Sequence, residues 1–164
     1  MKPTLPTDRR ADFRHLSAIQ TRWHDNDLYG HVNNVIYYAW FDTVINRFLV
    51  EQGGLDLERD PVIGVCVESK CRYLASVAFP ESVDAGLRVG ELGRSSVRYE
   101  LGIFRGEQLC ALGWFVHVFV ERGTQHPAAI PASIRAALER LLLLGEDAGA
   151  GGPTDARAAP GEGD

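Results

Sequence analysis

Residues 33–54 read NNVIYYAWFDTVINRFLVEQGG, and the fold turns on this stretch. It contains no proline and closes on Gly53-Gly54, which together predict one long helix with a glycine stop. Asn33 is placed to cap its front. Apolar residues fall on nearly every side: Val35, Ile36, Ala39, Trp40, Val44, Ile45, Phe48 and Leu49. A helix apolar all round is a buried helix. The rest of the chain must therefore wrap it.

What surrounds the helix is strand-like. Before it, LSAIQTRW (16–23) reads as a short first strand. After it come VIGVCVESKCRYLA (62–75), SVDAGLRVGEL (82–92), SSVRYELGIFRG (95–106) and LCALGWFVHVFVE (109–121). In the second of these Val83, Ala85, Leu87 and Val89 share a face. In the third Val97, Tyr99, Leu101 and Ile103 do. Period-two patterning with short turns such as RGEQ predicts antiparallel hairpins. A last helix is expected from Pro131, a favourable first helical position, to about Leu144. Helices do not alternate with the later strands, so the class is α+β: a curved antiparallel sheet around one long helix.

The chain has 164 residues, enough for one domain with one core. The boundaries read as a loose arm over residues 1–14, a folded domain over 15–145, and a Gly/Ala/Pro-rich tail over 146–164. A net charge of -5 disfavours sequence-independent nucleic-acid binding. Three cysteines, Cys66, Cys71 and Cys110, lack the spacing of a zinc site or a disulfide framework and fit a reducing cytoplasm as small buried residues. Neither a signal-like h-region nor a membrane-length apolar run is visible.

In front of the helix lies a polar knot, WHDNDLYGHVNNVIY (23–37). A calcium loop would need a ligand at Tyr29 and a bidentate acid at Ile36, and has neither. No zinc-type spacing links His24, Asp25, Asp27 and His31, so no metal is expected. A plain turn and cap explains Gly30 and Asn33 but leaves Asp27, His31 and Asn34 over. A catalytic site uses Asp27, Gly30 and the amides near Asn33 and Asn34. Unpaired amides and the positive dipole end at the helix start suit an oxyanion. A carboxylate just before them suits a general base or nucleophile.

At these residues the sequence resembles a known family. RWHDNDLYGHVNNVIYYAWFD resembles the D-x-D-x-x-G-H-V-N-N-x-x-Y signature of hotdog-fold acyl-CoA thioesterases, the 4-hydroxybenzoyl-CoA thioesterase-like family. The resemblance extends over about residues 15–122, and the order of elements matches the hotdog fold. It implies an acyl-coenzyme A substrate, no cofactor, and a homodimer or homotetramer with sites at subunit interfaces. It implies Asp27 as base or nucleophile, an oxyanion amide near Asn34, and Gly30 on the motif glycine. His31 is a further catalytic candidate, to orient substrate or water, with a structural hydrogen bond as its alternative; Asn33 and Tyr37 are substrate-binding candidates. LGRSSV resembles a coenzyme A-contacting segment and adds Arg94, Ser95 and Ser96. The helix departs from many relatives after Asp42, where Thr43, Val44 and Ile45 replace an acidic-Ala-Arg run. A hotdog hydratase or dehydratase, and an acyl-CoA-binding module without activity, are the alternatives.

Outside the motif, Asp42 is more readily a paired structural residue than a second acid. His117 reads as a sheet or core histidine, and Tyr38 and Trp40 as core or acyl-pocket lining.

Overall fold

The computed structural model describes residues 7–142. Its elements run β1 (His15–Gln20), α1 (Asn34–Gly53), β2 (Val62–Tyr73), β3 (Ser82–Leu92), β4 (Ser96–Arg105), β5 (Gln108–Glu121) and α2 (Ala132–Glu139). Two single 3-10 turns, Arg10–Asp12 and Trp23–Asp25, flank β1. The five strands form one sheet in the order β1-β3-β4-β5-β2, and all pairings are antiparallel. This is the hotdog fold expected from the sequence. β1 ends at Gln20, and Trp23, expected in the strand, belongs to the following 3-10 turn.

α1 is held at both ends as its sequence implies. The Asn33 side chain accepts the Val35 amide, and Gly54 ends the helix with φ 72°. Phe41, Ile45 and Leu49 pack in one core with Leu87, Tyr99, Leu101, Ile103 and Phe119 of the sheet. Each such fully buried side chain stabilises by about 2 kcal/mol.

The expectation of a helix buried on every side does not hold. Asp42, Thr43, Arg47 and Val50 are exposed, and Val35 is 66% exposed. One five-stranded sheet covers only one side of a helix, so the other side lies open in the single chain. Asp42 is accordingly an exposed residue whose Oδ1 accepts from Asn46.

The arm expected to be loose is ordered in its described part. Phe13 is 4% exposed on the outer face of the sheet. Gly86 and Gly102 make the space: a Cβ at Gly86 would stand 2.6 Å from the Phe13 ring, and one at Gly102 3.0 Å from it. Arg88 lies over the same ring and pairs with Asp8 and Glu100. Residues 1–6 and the expected tail fall outside the described residues. Pro131 caps α2 rather than opening its first turn, and α2 ends at Glu139. Leu144 lies outside the described residues. Cys66 is exposed, Cys71 half-buried and Cys110 buried, so only Cys110 is the small core residue expected of all three.

Candidate active site

The polar knot folds into a tight hairpin that delivers Asp27 to the start of α1. The Asp27 amide donates to the His31 carbonyl (2.8 Å), and the Gly30 amide donates back to the Asp27 carbonyl (3.1 Å). Asn26 and Val32 pair across its base. Gly30 has φ 81°, and a Cβ added there would meet nothing within 4 Å. The glycine is there for the left-handed turn, which other residues enter at a cost of roughly 1–2 kcal/mol.

Asp25 and Asp27 part company here. Asp25 is fully buried and accepts three bonds from Arg22: the backbone amide (2.7 Å), Nε (2.9 Å) and Nη2 (2.8 Å). Its carbonyl accepts the Asn33 amide at 2.8 Å. Asp25 thus fixes the residue that caps α1, and its role is structural. Asp27 is half-buried, and its Oδ1 accepts the Tyr29 amide at 2.8 Å. Among the described residues its Oδ2 has no hydrogen-bond partner.

The α1 start shows the complementary gap. Asn33 takes the Val35 amide on its side chain (3.1 Å) and the Ile36 amide on its carbonyl (2.9 Å). The Asn34 amide has no partner among the described residues. It is left over at the positive end of a 20-residue helix.

Asp27 and Asn34 both line one cleft of about 510 Å³, together with Tyr29, His31, Val32, Tyr37 and the segment Tyr73–Ser76. The far wall is the chain leaving β2, stitched to the knot. Val32 donates to the Val77 carbonyl (2.7 Å), Phe79 donates to Asn26 Oδ1 (3.0 Å), and Tyr73 Oη donates to the Asn34 carbonyl (3.1 Å). Glu81 holds this segment from behind by accepting from the Ala78 amide and Arg105.

Tyr37, Tyr73 and Cys71, beside the cleft, stay protonated at neutral pH. Burial pushes the Tyr37 hydroxyl up to about 12 and the Cys71 thiol up to about 11. The Tyr73 hydroxyl is raised as well, first by partial burial and then by Cys71. A thiolate or phenolate base from these three is therefore disfavoured, and Asp27 is the carboxylate on the cleft wall. Among the described residues no group of three His, Cys, Asp or Glu side chains is arranged to hold a metal.

Of the candidates read from the sequence, Asp27, His31, Asn34 and Tyr37 line the cleft, while Gly30 and Asn33 shape its turn and cap. His24 is exposed and does not line it. Arg94, Ser95 and Ser96 are not brought to it. Ser96 pairs with Val118, whereas Tyr73 at the cleft pairs with Ala111. Seven residues of β5 separate these rungs, roughly 23 Å at the strand rise. Sequence reading missed Tyr29 and Tyr73–Ser76. Tyr73 and its neighbours read as the end of an apolar strand, with no local mark of a site.

His117 is a buried core residue, 2% exposed, with its ring 5.0 Å from that of Tyr99. Neither its ring nitrogens nor the Tyr99 hydroxyl has a partner among the described residues.

Residues 21–138 match the family model of the thioesterase-like superfamily. Among solved structures, the PA5185 protein of Pseudomonas aeruginosa is 55% identical with a TM-score of 0.81, covering 84% of this chain and 97% of that one. PA2801, a putative thioesterase of the same species, is 32% identical with a TM-score of 0.71, covering 76% and 98%. BH1999, described as a gentisyl-coenzyme A thioesterase, shares the fold at 24% identity and a TM-score of 0.68, covering 76% and 99%. No curated protein matches the chain.

Proposed function

This chain belongs to the thioesterase-like superfamily and is a thioester hydrolase, and we propose that it cleaves acyl-coenzyme A at the Asp27 cleft. One observation carries the reading: Asp27, with a carboxylate oxygen unpartnered among the described residues, and Asn34, with its amide unpartnered among them, line the same cleft. A base and an oxyanion donor on one cavity are the minimum for acyl transfer to water.

Asp27 takes a proton from water as the water oxygen bonds to the thioester carbon. The carbonyl oxygen gains charge and receives the Asn34 N–H, supported by the α1 dipole. Collapse breaks the C–S bond, and the departing thiolate takes up a proton. The same placement also allows Asp27 to attack directly and form an anhydride that water opens. Labelled water separates the two routes: in a single turnover the label enters Asp27 only if water opens the anhydride at that carboxyl. His31 lines the cleft and offers a hydrogen bond to substrate or water. The coenzyme A class is supported by the signature at 25–37 and by the activity named for BH1999.

The site is completed by a second copy of the chain. β2 lies at the sheet edge with Cys66–Lys70 exposed, and α1 leaves one side open beside it. An unpaired edge next to an unburied helix face favours association of copies. Arg94, Ser95 and Ser96, remote from their own cleft, would serve as coenzyme A contacts only to a site in another copy.

The test is a broad panel of acyl-coenzyme A thioesters followed with a thiol reagent, for wild type and Asp27→Ala. Thiol release by wild type that is lost in the variant supports the reading. Absence of release across the panel, or an Asp27→Ala protein as fast as wild type, overturns it.

A further inference from the structure

The oxyanion amide proposed above sits on the first residue of a helix, and first turns are where helices fray. Asn33 caps the turn from one side. A second restraint comes from the opposite wall. Tyr73, the last residue of β2, sends its hydroxyl to the Asn34 carbonyl at 3.1 Å, across 39 positions of sequence. Its ring meets Tyr37 of α1 edge-on, with centroids 5.2 Å apart. The hydroxyl bond and the ring contact therefore tie the helix start to the end of β2.

We infer that Tyr73 is a positioning residue for hydrolysis, holding the Asn34 amide at the angle the oxyanion requires. This rests on the reading of Asn34 as oxyanion donor.

Three observations favour this over a bond that merely adds stability. As first residue of α1, Asn34 already offers its carbonyl to the amide four residues on. The Tyr73 bond is an extra one, and the helix does not need it to satisfy that carbonyl. Tyr73 is 42% exposed, so little core packing depends on it. It lines the same cleft as Asp27 and Asn34. Its raised hydroxyl pKa keeps it a donor throughout the neutral range. A donor on the Asn34 carbonyl restrains the residue on the far side from its own N–H, and so limits rocking of the first turn. An oxyanion donor acts only in the transition state, so its misalignment lowers kcat and spares substrate binding.

The decisive variant is Tyr73→Phe, which keeps the ring and removes the hydroxyl. Losing one such bond predicts a fall in kcat of about tenfold. KM stays within about twofold, and the melting temperature stays near that of wild type. A second readout is independent of turnover. The Val35 amide shares a peptide with the Asn34 carbonyl, so its ¹H and ¹⁵N shifts move in Tyr73→Phe while those of α2 do not. An unchanged kcat overturns the proposal, and so does a loss carried by KM or by stability. Asp27→Ala in the same assay separates the two readings. If Asp27→Ala is inactive and Tyr73→Phe matches wild type, only the Tyr73 role falls. If Asp27→Ala matches wild type, the assigned site falls and the Tyr73 role with it.

Discussion

The 3-10 turn Trp23–Asp25 and the hairpin that follows it each carry one aspartate, and the fold uses them in opposite ways. Asp25 is fully buried, its carboxylate filled by Arg22 and its carbonyl bound to the cap residue Asn33. Asp27, two positions on, is half-buried, lines the cleft and keeps one oxygen without a partner among the described residues. The contrast teaches that a polar cluster divides its labour by hydrogen-bond saturation. A saturated carboxylate builds the frame. An unsaturated one on the same cleft as the unpaired Asn34 amide is free to do chemistry.

The largest effect expected from breaking this contrast is on rate. Asp27→Ala should lower kcat for the best acyl-coenzyme A substrate by about 10³-fold, within the range for a lost general base, while thermal unfolding barely moves. Steady-state kinetics beside a melting curve checks both halves.

Next comes a pH effect that belongs to neither aspartate. Burial holds the His117 ring well below the ordinary histidine value, at about 4, against a weaker opposing pull from Asp42. The unfolded chain then binds a proton near pH 6.5 that the folded chain refuses until about pH 4. Stability is therefore full above about pH 6.5 and falls on acidification through that window, by about 3 kcal/mol in all. Urea unfolding at several pH values should show this limb, and His117→Phe should flatten it.

Asp25→Ala should behave as the mirror image of Asp27→Ala. It removes the three bonds from Arg22, and the cost should be about 2 kcal/mol of stability. Any loss of rate should appear only through the displaced Asn33 cap. An Asp25→Ala protein as stable as wild type would remove the frame role argued for it. The smallest effect is Gly30→Ala. The site is open, so the cost is the left-handed backbone alone, about 1 kcal/mol, seen as a modest drop in melting temperature.

Much of this frame is legible in the chain itself. The Asn33 cap, the Gly54 stop and the alternating strands at 83–89 and 97–103 are local signals, and the structure carries them out as read. The open face of α1 is not legible, because apolar residues on many sides do not reveal how much sheet is available to cover them. The distance of Arg94–Ser96 from their own cleft is not legible for a related reason. A motif fragment says nothing about which end of a ladder it occupies, and the β4–β5 register puts it at the far one.

The elements, the signature from Asp25 to Tyr37 and the candidate chemistry of Asp27 with the Asn34 amide can be read along the chain, because capping, turn formation and periodicity act over a few residues. That Asp25 is saturated while Asp27 keeps an oxygen unpartnered, that Phe13 lies on the sheet, and that Tyr73 reaches Asn34 emerge only from the folded chain. Burial and hydrogen-bond saturation depend on what lies opposite in space, and for Tyr73 that partner is 39 residues away along the chain.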